Sequence, residues 1–250
     1  MPPRPVALVT GSGKRRVGWH VADALAARGY ALLIHYRAAV AEAAAAVAEF
    51  AARGVEAIAL QADVADEASV KNLVARTFER FGRLDVLVTA ASTWTRKRLE
   101  DMTAADVRAE FDANTLGTFL CCQHAGLAMV AQPEGGTIVT IGDWAIERPY
   151  MHYAAYFASK GAIPTLTRTF AVELAARNPR VRVNCVMPGP VMLPAELPAA
   201  ERKAAVAATL VQREGSPKNI AQAVLAFIDN DFVTGVCLPV DGGRTVYAPE

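Results

Sequence analysis

Short, almost uninterrupted apolar runs recur along the chain at 6–10, 31–36, 55–60, 84–90, 137–142, 181–187 and 236–240, with amphipathic stretches of helical period between most of them. Runs such as Val86-Leu87-Val88 and Ile138-Val139-Thr140-Ile141 carry no polar alternation, as expected of strands buried on both faces. Strand and helix in alternation predict right-handed βαβ crossovers and an α/β fold: a single-domain, Rossmann-like, doubly wound, mostly parallel sheet of about seven strands with helices on both faces. The Ala-rich stretch 38–52 reads as a helix stopped by Arg53-Gly54, because Ala is the strongest helix former. Helical patterns are also predicted over 19–28, over 201–212, and from an N-cap at Ser216 with Pro217 through 228. Nothing divides the 250 residues, so residues 1–250 are expected to form one domain. The irregular, four-proline segment 188–198 follows the sixth strand and overhangs the carboxyl edge of such a sheet, so 188–212 is a candidate lid.

Composition narrows the partners. A formal net charge of +1 offers no global attraction for nucleic acid or an anionic membrane, which leaves small molecules. No run reaches the roughly 18 apolar residues of a membrane span, and the opening Met1-Pro2-Pro3-Arg4-Pro5 lacks a signal-like core, so a cytoplasmic protein is expected. Cys121, Cys122, Cys185 and Cys237 have no metal-binding spacing and read as buried thiols; no metal is predicted. His20, His124 and His152 belong to no catalytic or metal constellation.

The first strand runs into Thr10-Gly11-Ser12-Gly13-Lys14-Arg15-Arg16-Val17-Gly18 and then a helix, a context in which backbone N–H groups and the helix dipole face a pyrophosphate. Lys14, Arg15 and Arg16 fit a phosphate-binding role or an exposed basic turn. Strand two ends in His35-Tyr36-Arg37, without the acid that grips an NAD ribose. Arg37 would attract a 2′-phosphate, so NADP(H) is expected over NAD(H). Further along, Tyr156 and Lys160 lie at i and i+4 of a helical stretch. The ammonium is placed to lower the phenol's pKa from about 10 and make a proton donor. Taken alone, the same spacing also describes a core edge beside a solvated charge.

These segments together resemble the short-chain dehydrogenase/reductase family over essentially the whole chain. The marks are Thr10-Gly11 with Gly18, Asp63 after strand three, Asn114 in Asn114-Thr115-Leu116-Gly117, Tyr156 with Lys160, Pro188-Gly189, and Thr234-Gly235 before Asp241-Gly242-Gly243. Within that family the chain is most similar to pteridine reductases. It shares their Arg in the first turn (Arg16-Val17-Gly18), His35-Tyr36 ending strand two, Trp94 after strand four, and Asp143, 13 residues before Tyr156, where carbonyl reductases place serine. Two departures stand out. The first turn is one residue longer than usual, leaving either Arg15 or Arg16 to reach the ligand. Thr89-Ala90-Ala91-Ser92 replaces Asn-Asn-Ala-Gly.

The resemblance implies a cofactor site of Gly11, Lys14, Arg15, Arg16, Val17, Gly18, His35, Tyr36, Arg37, Asp63, Val64, Ala90, Ala91, Ser92, Pro188, Gly189 and Val191, with Tyr156 and Lys160. Asp143, Tyr156, Lys160 and Asn114 would be catalytic, with Asn114 holding a water that links Lys160 to solvent. Arg16, Ser92, Trp94, Asp143 and Tyr156 would meet substrate, Trp94 by stacking on a flat ring. Trp144 and Tyr153 adjoin these motifs and either line the pocket or pack, while 96–98 reads as a solvated basic loop or a substrate clamp. A homotetramer with the Tyr156 helix near an interface is also implied. An ionised Asp143 cannot donate to a carbonyl oxygen and would repel an alkoxide, whereas negative charge favours a C=N nitrogen that gains a proton. The leading expectation is therefore an NADPH-dependent reductase of pterin-like heterocycles. The alternatives are a 3-oxoacyl or small-ketone reductase and a non-catalytic NADP(H)-binding sensor.

Overall fold

The computed structural model describes residues 4–247; the opening segment read for a targeting signal lies partly outside them. Seven parallel strands form one sheet in the order β3-β2-β1-β4-β5-β6-β7. They are β1 Val6–Thr10, β2 Ala31–Tyr36, β3 Ala57–Gln61, β4 Val86–Thr89, β5 Gly136–Ile141, β6 Val181–Pro188 and β7 Cys237–Val240. The helices are α1 Val17–Ala27, α2 Val40–Ala52, α3 Glu67–Phe81, α4 Ala104–Glu110, α5 Gly117–Val130, α6 Ala154–Gly161, α7 Ile163–Ala175, α8 Ala199–Ala207 and α9 Pro217–Asp229.

The apolar runs are explained by two cores, one on each face. Ala7 and Val9 of β1 pack with α1 and α9, while Leu8 between them packs with α3, α5 and α7. Because successive side chains leave a strand on opposite faces, a sheet covered twice needs apolar residues at every position. Chain order reverses between β1 and β4, opening a crevice at the carboxyl edge.

Several boundaries differ from the sequence reading, and two of the shifts show their cause. The β3 run begins at Ala57, since Val55 N–H closes the end of α2 on the Phe50 carbonyl. The helix expected over 201–212 spans Ala199–Ala207. It stops where Thr209 turns its hydroxyl onto the Val206 carbonyl and Gln212 takes φ 49°. Segment 188–212 is stapled rather than loose. The Arg202 guanidinium meets Glu214 at 2.5 Å and the Pro194 carbonyl at 2.8 Å, and Glu214 also accepts from the Leu193 N–H. No helix among the described residues is long and apolar enough to cross a membrane.

Candidate active site

At the end of β1 the chain turns through Gly11, with φ 67°, and a Cβ there would lie 2.8 Å from the Ala91 backbone. Only glycine serves both demands. His35 braces the turn from below. Its Nδ1 accepts the Gly11 N–H at 2.9 Å and its Nε2–H donates to the Ala62 carbonyl at 3.1 Å, while burial holds its pKa below the usual value. The ring of His35 is thus held beneath the glycine turn. Ser12 completes the brace by donating to the Val9 carbonyl and accepting the His35 N–H.

The basic run separates into three fates. Arg15 bonds Glu49 at 2.6 Å and lies 4.1 Å over the Trp19 ring, and Lys14 pairs with Glu42 at 3.6 Å. Arg16 stands exposed at the N-cap of α1, whose first turn has no side-chain cap and no acid. Tyr36 is half-buried and Arg37 exposed beyond β2, with the Arg37 carbonyl held by Gln61. After β3, Asp63 accepts the Ala65 N–H, and Val64 packs against Gly117 of α5. Ala91 N–H bonds the Thr10 hydroxyl, which ties the Ala90-Ala91-Ser92 turn beside the glycine turn.

On the other side of the crevice, β5 ends at Ile141, and after Gly142 Asp143 caps a 3-10 turn, Trp144–Ile146. Its Oδ1 accepts the Ala145 N–H at 2.8 Å and its Oδ2 accepts the Tyr156 hydroxyl at 2.7 Å. Burial raises the Asp143 pKa, opposed by those two bonds and the Lys160 charge. Tyr156, expected to be lowered by Lys160, is instead pushed well above its usual value. Burial and the Asp143 carboxylate both disfavour the phenolate. Lys160 is itself buried, which lowers its pKa, and its Nζ donates to the Ile141 carbonyl at 2.8 Å.

Asn114 sits in a π-helical turn, Phe111–Leu116, between α4 and α5. π-turns are rare and cluster at functional sites. Its amide is occupied by protein: Oδ1 accepts from Ser92 Oγ and Thr93 N–H, and Nδ2 donates to the Thr93 carbonyl, Glu110 Oε2 and Ser159 Oγ. Its side chain therefore locks the 92–95 segment to the Tyr156 helix. Glu110, absent from the sequence reading, is 3% exposed and also accepts from Thr93 Oγ1 and Thr95 N–H. Four residues before Asn114, it would lie on one face of a helix, but a glutamate at that spacing in a helix is ordinarily solvated.

Trp94, on that segment, stacks one ring face on Tyr153 at 4.7 Å and 8°. Tyr150 and Phe157 pack edge-on around Tyr153. Of the basic loop, Lys97 bonds Asp106 at 2.6 Å and Arg98 pairs with Glu100, so two of its three charges are engaged locally.

The family model described as enoyl-(acyl carrier protein) reductase matches residues 12–245. The chain is a short-chain dehydrogenase/reductase. It is 37% identical over 246 residues to an uncharacterized oxidoreductase of Methylorubrum extorquens, covering 95% of this chain and 96% of that one. It is 34% identical over 247 residues to a 3-oxoacyl-(acyl-carrier-protein) reductase of Synechocystis, covering 97% of both. Acetoin dehydrogenase from Enterobacter cloacae superposes with a TM-score of 0.88 at 32% identity, over 100% of this chain and 99% of that one.

As a member of this family the protein is a nicotinamide-dependent oxidoreductase, and its crevice fits such a cofactor. The uncapped α1 turn offers N–H donors to a pyrophosphate. At the carboxyl end of β4, the buried Thr89 hydroxyl has no partner among the described residues. A Cβ on Gly189 would lie 2.4 Å from the Asp241 backbone, so the Pro188-Gly189 bend and buried Val191 are held close to the end of β7.

Proposed function

We propose that this short-chain dehydrogenase/reductase is an NADPH-dependent reductase of the C=N bond in a flat, pterin-like heterocycle. The observation that carries the reading is the 2.7 Å bond from the Tyr156 hydroxyl to Asp143. A carboxylate stands beside the proton donor, where an oxyanion would be repelled and a nitrogen gaining a proton favoured. The bound cofactor supplies the hydride. Tyr156 keeps its proton at neutral pH and delivers it to nitrogen, and Asp143 orients the hydroxyl and stabilises the resulting cation. Lys160 has one donor on Ile141 and two free for the cofactor's ribose. Gly11, Arg16, Val17 and Gly18 hold the pyrophosphate, Asp63, Val64, Ala90 and Ala91 flank the adenine side, and Pro188, Gly189 and Val191 flank the nicotinamide. Arg37, with no acid after Tyr36, favours the 2′-phosphate. Trp94 and Tyr153 form the aromatic wall for the ring, with Ser92 beside it.

A second reading, carbonyl reduction, is favoured by one observation: burial raises the Asp143 pKa, and a protonated carboxyl donates as serine would. The relatives' names point the same way. NADPH consumption with dihydropterin, dihydrofolate and acetoacetyl thioester, measured side by side, separates the two. The pterin reading expects the first two to be turned over faster, and exclusive use of the thioester refutes it.

A homotetramer is supported by Leu116, Phe119 and Leu127, exposed on one face around α5, with exposed Val172 on the adjoining α7. Sedimentation velocity tests it.

A further inference from the structure

Of the four cysteines, two face each other across neighbouring strands. β6 and β7 run parallel with Cys185 in register with Cys237. Paired residues of adjacent strands project from the same face, and strands about 4.8 Å apart bring their Cα atoms within the range a disulfide spans. Cys185 is buried against Ile163 and Met187, while Cys237 is half-buried on the edge strand, where small reagents reach it.

We propose that Cys185 and Cys237 form a peroxide-oxidisable dithiol, and that its closure to a disulfide slows the enzyme. The neighbouring Cys237 thiol holds Cys185 down at about 7, helped by Thr140, the Gly142 N–H and the Lys160 charge, and Cys185 in turn drives Cys237 upward. The pair therefore shares a proton and yields a thiolate near neutrality. Cys121, by contrast, is pushed up to about 12 by burial, and Cys122 is also raised. Those two serve as inert internal controls.

Hydrogen peroxide is the oxidant. The Cys185 thiolate takes the Cys237 proton as the Cys237 sulfur attacks one peroxide oxygen; the O–O bond breaks, the departing hydroxide takes up a proton, and a sulfenic acid forms as water leaves, after which Cys185 loses its proton again. The Cys185 thiolate then attacks the Cys237 sulfur, the S–S bond forms, the S–O bond breaks, and hydroxide departs with a proton as a second water. Two thiols lose two electrons and two protons, and one peroxide becomes two waters.

The bond reaches the catalytic groups through packing. A Cβ on Gly142 would lie 3.0 Å from the Cys185 sulfur, so this sulfur supports the residue preceding Asp143. Drawing it toward Cys237 removes that support. It also pulls β7, whose end carries Asp241 against Gly189.

The test treats the reduced full-length protein with hydrogen peroxide, alkylates it, and reads intact mass, peptide map, turnover and NADPH binding by tryptophan fluorescence, for wild type and Cys237→Ser. The expected wild-type result is a loss of about 2 Da, a peptide pair joined at Cys185 and Cys237, and turnover reduced about tenfold or more, as displaced reacting groups produce. Dithiothreitol restores it, and Cys237→Ser neither cross-links nor slows. A joined pair with unchanged turnover would overturn the control role. Over-oxidation of Cys237 without a joined peptide, or equal peroxide inactivation of the variant, would overturn the site. The mass readout stands whatever the substrate proves to be, so failure of the dithiol and failure of the pterin reading are distinguishable.

Discussion

The two sides of the crevice are built on different principles. The nucleotide side is made of backbone: a glycine turn with positive φ, an uncapped helix end, and arginines that reach solvent. The catalytic side is made of side chains that are buried or, for Asp143, half-buried, in which Asp143, Tyr156, Lys160, Asn114, Ser159 and Glu110 each have hydrogen-bond partners inside the protein. Outside the Gly11 turn and its His35 brace, the exposed side chains of the first can be replaced one at a time, because each acts alone. The second responds as a unit, because a buried group deprived of its partner bears the whole cost of lost solvation.

The strongest way to break the catalytic side is Tyr156→Phe, which removes the proton and leaves the packing. Steady-state kinetics should show turnover down by about 10² to 10⁴, with nucleotide affinity nearly intact, and residual activity above a tenth would end the donor assignment. Next is Asp143→Ser. On dihydropterins it should cost about 3 kcal/mol of transition-state stabilisation, while activity on small ketones rises. A variant that changes neither would show that Asp143 only caps its turn through the Ala145 N–H.

On the nucleotide side the effect is smaller. Wild type should prefer NADPH over NADH by about 30-fold in kcat/KM, since one guanidinium–phosphate contact is worth about 2 kcal/mol, and Arg37→Glu should erase the preference. Glu110→Gln sharpens the contrast. Its amide turns an N–H toward donors that formerly met a carboxylate, so stability should fall by about 1–3 kcal/mol in urea unfolding. Loss of its charge, which favours the protonated forms of Tyr156 and Lys160, should move the alkaline limb of the rate profile to lower pH.

The same division decided what could be read from residues. The strands followed from apolar runs because the central ones are buried on both faces, and β1 and β2 match their predicted limits at both ends. The Gly11 turn was legible because a positive φ demands glycine. Tyr156, Lys160 and Asp143 were legible as a spacing, yet the sign of the tyrosine's shift was not. That sign depends on burial and on a carboxylate brought to 2.7 Å by the fold. Glu110 carried no signal, since only the π-turn and the folded-back 92–95 segment make it a buried hub. Likewise Arg15 and Arg16 are indistinguishable in sequence until Glu49 and Trp19 claim the former.

His35 gives the nucleotide side an acid limit of its own. Its neutral form supplies the acceptor for the Gly11 N–H, and burial lowers its folded pKa below the usual 6.5. The stability it contributes is therefore complete above that value and is lost as pH falls through the folded one. Protonation there would leave two N–H groups aimed at each other under the phosphate turn. Cofactor affinity measured against pH should thus fall on the acid side, and the fall should persist in Tyr156→Phe, where proton transfer to substrate has been removed. Grip and chemistry would then fail at separate pH values within one crevice.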